Sequence, residues 1–175
     1  MTAPNEEDQR IRSYLLTQAN KLSIPDLVDK VRQDTAPLHE VGAAVPPDHF
    51  QERPGPNDWS AAEVYTHILE MNERGAQAIE GILDHGALPP RMTDQITGDS
   101  RRDLPTTEDY WQAYLPRREQ LLARVLEASG GEHLEIKITH PQFGALSWRE
   151  WLLFMRVHDL DHMRQLQAIT RRFAA

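Results

Sequence analysis

Two four-residue segments, Ser60-Ala-Ala-Glu63 and Ser147-Trp-Arg-Glu150, have the form of a helix start in which serine and glutamate cap each other's backbone. Each is followed by apolar residues at steps of three and four. The first run is Val64, Ile68, Met71, Ile79, Ile82 and Leu83, and it stops at Gly86 and the Pro89–Pro90 pair. The second carries helical spacing to about Phe173. Thr106 or Thr107 caps a third run, with Tyr110, Trp111, Tyr114, Leu121, Leu122, Val125 and Leu126, which ends near Gly130–Gly131; Pro116 inside it predicts a bend. Ser23 opens a further helix with Pro25 in its first turn, which Pro37 should kink or restart. Residues 8–20 form a short amphipathic helix with Ile11, Tyr14 and Leu15. Alternation is confined to Leu134, Ile136 and Ile138, a strand-like stretch with no obvious partner. The expected fold is therefore all-α: a four-helix bundle with an extra N-terminal helix over residues 1–20, in a single domain spanning 1–175. The proline-rich segment 46–58 and the long segment 86–105 are loops. The latter either roofs a cavity with Arg91, Arg101 and Arg102 or is a plain surface connection.

Composition excludes several chemistries. There is no cysteine, so a disulfide framework, a thiolate zinc site, an iron–sulfur cluster and a cysteine nucleophile are ruled out. Net charge is −8 and the arginine pairs are scattered, which argues against a nucleic-acid partner. The longest apolar run, Trp151 to Met155, is far too short to span a bilayer. The N-terminal MTAPNEEDQR lacks a basic start and an apolar stretch, so the expectation is a soluble cytoplasmic protein with no membrane partner.

The histidines carry the functional signal. His158 and His162 are an i,i+4 pair in a helix whose apolar stripe runs Trp148, Trp151, Met155, His158, His162, Leu166, Ile169. His67 occupies the same kind of position in the stripe Val64, His67, Met71, Gly75, Ile79, Ile82. Imidazoles placed where leucine is expected must find partners or destabilise the core. Two readings stay open from phase alone. In one, three neutral imidazoles from facing helices bind a divalent metal and leave a coordination position open. In the other, they are core histidines hydrogen-bonded to Asp159, Asp161, Glu63 or Glu70. The other histidines, His39, His49, His85, His133 and His140, fall on shoulders, loops or the flanks of the extended stretch.

PNDWSAAEVYTHILEMN resembles the Trp-Ser-x-x-Glu-x-x-x-His stretch that opens the second helix of the DinB/YfiT-like superfamily. HPQFGALSWREWLLFMRVHDLDHMRQLQAI is similar to that superfamily's C-terminal signature, a His-Pro-x-x-Gly turn before a last helix carrying His-x-x-x-His. The detailed likeness covers residues 57–70 and 140–169; helix order extends it to about 24–172. The resemblance implies a four-helix bundle with metal ligands His67, His158 and His162, frequent homodimers, and relatives that include S-transferases and isomerases using low-molecular-weight thiols such as bacillithiol or mycothiol. The N-terminal helix is not accounted for by these motifs.

A divalent ion on three neutral nitrogens lowers the pKa of a thiol or water it takes up. Zinc is the first choice for such ligands, and nickel or iron also suit them. Three functions follow. A metal-dependent transferase would take its thiol from a cofactor or substrate, since the chain has none. A metal-dependent hydrolase would need a carboxylate near the ion, with Glu63 and Asp161 nearest in phase. A non-catalytic metal-binding or stress-response bundle would have the open position closed by a fourth ligand such as Glu70 or His140.

Overall fold

A computed structural model of the chain describes residues 5–89 and 104–174. The elements run α1 (Glu6–Lys21), α2 (Ile24–Thr35), α3 (Leu38–Ala43), a 3-10 turn (Pro47–His49), α4 (Ala61–His85), α5 (Thr107–Leu126), β1 (Ile138–His140), β2 (Gly144–Leu146) and α6 (Trp148–Phe173). The fold is an all-α bundle, as expected, with one small hairpin in addition. Both serine–glutamate capping boxes form, at Ser60/Glu63 and Ser147/Glu150, and Thr106/Asp109 makes a third. Proline breaks the early helix where it should: α2 ends at Thr35, Pro37 is the N-cap of α3, and α3 begins at Leu38. Gly86 ends α4 in the left-handed region at φ 60°, a conformation that costs glycine little. Pro116 lies within α5, which continues on both sides of it.

The extended stretch differs from its sequence pattern. Pairing takes Ile138–His140 against Gly144–Leu146, antiparallel, with Ile138 opposite Leu146. Leu134 and Ile136 are not in the ladder. They pack against the core from a turn closed by the Ile136 amide on the His133 carbonyl, 3.1 Å. The alternation there reflects burial of two side chains, not a strand.

α4 packs against α5 on one side and α6 on the other, and α1, α2 and α3 lie against α6. The approach of α4 to α6 is close at Gly75, where a Cβ would stand 2.5 Å from the Met155 sulfur. A larger residue there would force the Met155 side chain to move.

The apolar core is divided by a polar layer. One cluster gathers Leu15, Leu27, Val31, Ala76, Leu121 and Met155; the other gathers Leu38, Tyr65, Leu69, Tyr110, Tyr114 and Met163. Between them along the three long helices lie Asn72 on α4, Arg118 on α5 and Asp159 on α6, each at most 2% exposed. Arg118 donates from Nε to Asn72 Oδ1 at 2.7 Å and from Nη2 to Asp159 Oδ2 at 2.9 Å. Tyr114 donates its hydroxyl to the same Asp159 oxygen at 2.6 Å, and Asn72 Nδ2 donates to the Tyr114 carbonyl at 3.2 Å. Burial is the largest single influence and would raise the Asp159 carboxyl, but the Arg118 charge, together with His158 and the Tyr114 hydroxyl, outweighs it and holds the group below its ordinary value.

Removing one member of such a pair strands the other charge in the core, a loss of about 3–5 kcal/mol. Arg118→Met is therefore expected to lower stability in urea by about that amount. Adding Asp159→Asn, which keeps an acceptor for Tyr114, should recover most of the loss. Equal loss in the single and double variants would show that the charge pairing is not what matters.

Candidate metal centre

Helix phase brings the three histidines together. His67 sits in the second turn of α4; His158 and His162 lie one turn apart on the face of α6 that meets it. One ring nitrogen from each falls within 4.8 Å of the other two, and all three side chains are half-buried. His67 Nε2 and His158 Nε2 are 2.8 Å apart. Ring centroids are separated by 4.8 Å (His67–His158), 4.7 Å (His67–His162) and 4.4 Å (His158–His162). Trp59, just before the α4 cap and 40% exposed, lies edge-on to His67 at 5.3 Å and parallel to His162 at 6.4 Å.

The outer partners decide which way the lone pairs point. His162 Nδ1 is 2.8 Å from Gln165 Oε1, an acceptor, so the proton sits on Nδ1 and Nε2 offers a lone pair. His158 Nδ1 faces Asp159 Oδ1 at a longer 3.5 Å, with the same consequence. His67 Nδ1 is buried and has no hydrogen-bond partner among the described residues. Burial pushes His67 down to about 3, with His158, His162 and Arg74 adding repulsion. His162 is lowered in the same direction by burial and then by His158. Neutral imidazoles whose unprotonated nitrogens face one another are a poor arrangement without a shared electrophile, and a divalent cation satisfies their lone pairs together. The donor set fits a metal by this test.

The remaining sequence candidates are placed as follows. Glu63 is bound to the Ser60 amide at 2.9 Å and paired with Arg53, which holds its carboxyl down at about 2. Asp161 is exposed and lines the cavity beside the cluster. The carboxylate that reaches a histidine of the cluster is Asp159, the same residue that anchors the polar layer. Glu70 and His140 also line the cavity, but neither joins the three-nitrogen group. Burial raises the Glu70 carboxyl. His39 is paired with Glu108 and His49 with Glu52, both away from the centre.

The cluster opens into a cavity of about 1010 Å³. Its walls come from α4 (Glu70, Met71, Arg74), α6 (Trp151, Phe154, Val157), the hairpin turn and the first turns of α1. The ends of the 86–105 segment that are described, 86–89 and 104–105, contribute no lining residue. Arg91, Arg101 and Arg102 lie outside the described residues. Among the described residues no helix is long and apolar enough to cross a membrane.

A helical bundle with three inward imidazoles from facing helices defines a class of metal-binding fold. The chain belongs to the DinB superfamily, whose family model matches residues 27–166. The match contains all three histidines and leaves α1 outside. Among curated proteins, none matches the chain.

If the three nitrogens share one ion, His67→Ala, His158→Ala and His162→Ala should each lose most bound metal after dialysis, because two ligands hold a divalent cation poorly. His49→Ala and His85→Ala should retain it. Elemental analysis of the five variants checks this; equal metal in all five would count against the centre.

Proposed function

We propose that the chain is a metal-dependent enzyme acting on small molecules, and specifically a transferase that uses a low-molecular-weight thiol. The observation that carries the enzyme reading is the opening of the three-imidazole cluster into a cavity of about 1010 Å³, large enough for a ligand of drug size. His67, His158 and His162 would hold the ion, with zinc first and nickel or iron next. A bound divalent ion would supply Lewis acidity, lowering the pKa of a thiol or water and stabilising its anion. The chain's own residues do the rest. Asp159 and Gln165 keep His158 and His162 in the tautomers that face inward, and Arg118 keeps Asp159 ionised. Trp59 covers one side of the cluster, and the cavity walls exclude part of the solvent.

The thiol choice is supported by membership of the DinB superfamily, and by the lack of cysteine, which leaves the thiol to a cofactor or substrate. Hydrolysis is a second reading. It is supported by Glu70 and Asp161 lining the cavity, where a carboxylate base could reach water, with the Glu70 carboxyl raised by burial. A non-catalytic metal-binding or stress-response bundle is the third, and it predicts no turnover. A cytoplasmic homodimer without nucleic-acid or membrane partners completes the proposal; net charge of −8 supports the nucleic-acid part.

The deciding experiment screens the purified, metal-loaded chain for conjugation of bacillithiol, mycothiol and simpler thiols to small electrophiles, with ester hydrolysis in parallel. Thiol conjugation should fall roughly 100-fold or more with a chelator and return on adding metal, since Lewis-acid activation is worth several kcal/mol. Ester hydrolysis alone would favour the second reading. No chelator-sensitive turnover of either kind would favour the third.

A further inference from the structure

The cavity is longer than the centre needs. On α6 its lining extends from Arg164 back to Trp151, and the eleven steps from His162 to Trp151 alone span about 16 Å at the helical rise. Its character changes along that length. The end at the histidines carries ionisable side chains, and Phe154 stands next to it with its ring centre 6.1 Å from that of His158; towards α1, Ile11, Tyr14, Phe143 of the hairpin turn and Trp151 of α6 form an apolar floor, with Glu7, Asp8 and Gln142 also in the lining. These walls are firmly seated. Arg12 Nε donates to the Phe143 carbonyl at 2.9 Å, joining α1 to the turn. Arg149, 8% exposed on α6, donates to the Ala19 and Leu22 carbonyls at the end of α1. Arg156 donates to the Tyr14 hydroxyl at 3.1 Å. The His140 ring accepts from the Phe143 amide at 3.2 Å, which fixes the turn itself. α1 lies outside the segment matched by the family model, whereas Phe143 and Trp151 lie within it.

We propose that α1 and the hairpin turn build an apolar subsite, which takes the hydrocarbon or aromatic body of an amphipathic small molecule whose polar, metal-seeking head lies at His67, His158 and His162. The inference rests on the metal reading of the three histidines and adds the substrate class. The head is drawn to the ion; the body leaves water for the far end, and α1 selects for it. Burial of hydrocarbon there should tighten binding by about fourfold per methylene until the space is filled.

The test titrates the metal-loaded full chain with straight-chain alkyl hydroxamic acids, from acetohydroxamic to octanohydroxamic, by calorimetry. Affinity should climb by about fourfold per methylene in the native chain. In Ile11→Asp it should stay flat while acetohydroxamic acid binds as before. Deleting α1 is the obvious alternative, but Leu15 and Ala19 are core residues at 0% exposure, so the point variant is the cleaner probe. Equal affinity across the series, or the same climb in Ile11→Asp, would overturn the subsite. Failure of acetohydroxamic acid itself to bind would instead count against the metal reading. The subsite is then judged on the metal-free chain with 1-hexanol, read from the Trp151 indole N–H resonance. A saturable shift that Ile11→Asp abolishes supports it, and no shift overturns it.

Discussion

The buried pairing of Arg118 with Asp159 sets the axial register of the bundle. A slide of any one long helix by a turn, about 5.4 Å, would pull Asn72, Arg118 and Asp159 out of line and leave a charge unpaired in the core. Apolar contacts alone do not impose such a condition, because leucine faces leucine almost equally well one turn away. With that register fixed, His67 has to meet His158, which is Asp159's neighbour in the chain. The glycine at position 75 leaves room for the Met155 side chain where α4 meets α6. The meeting of the three histidines thus follows from the polar layer, and the layer's carboxylate also faces the His158 ring.

Much of this arrangement can be read in the sequence, because helical phase is a strong constraint. The two serine–glutamate boxes locate the starts of α4 and α6, and the three- and four-residue steps through His158 and His162 place both rings inward. The polar layer obeys the same phase but does not announce itself. Asp159 lies four residues after Met155 and seven before Leu166, about 40° and 20° around the helix from them, so it falls on the apolar face. What phase does not supply is the partner that lets a carboxylate be buried there, Arg118 on α5. Arg118 follows Arg117 and reads as one of several scattered basic pairs. Arg117 does face partly outward, bridging Glu73 and Glu80, while its neighbour turns into the core. Helical phase separates the two: Arg118 is four residues after Tyr114 and three before Leu121, on the apolar face of α5, whereas Arg117 falls at its edge.

The carboxylate nearest the centre illustrates the same limit. Phase brings Glu63 and Asp161 close to the histidines, but a capping glutamate has its hydrogen bonds committed to the helix start, and Arg53 takes what remains. Asp161 stays exposed at the cavity. The hairpin was hidden for a different reason: its second strand is only Gly144–Leu146, too short for any alternation to show, and it exists because the turn at 141–143 folds it back. α1 is legible as a helix, yet its role as a cavity wall emerges only once Arg12, Arg149 and Arg156 are seen to seat it.

Anomalous diffraction from crystals grown with zinc or nickel, recorded at that metal's absorption edge, tests the central claim most directly. The account predicts one dominant peak bonded to a nitrogen of each of His67, His158 and His162 at about 2.0–2.1 Å, facing the cavity. A saturated crystal with no peak there, or with its strongest peak among other residues, would contradict it.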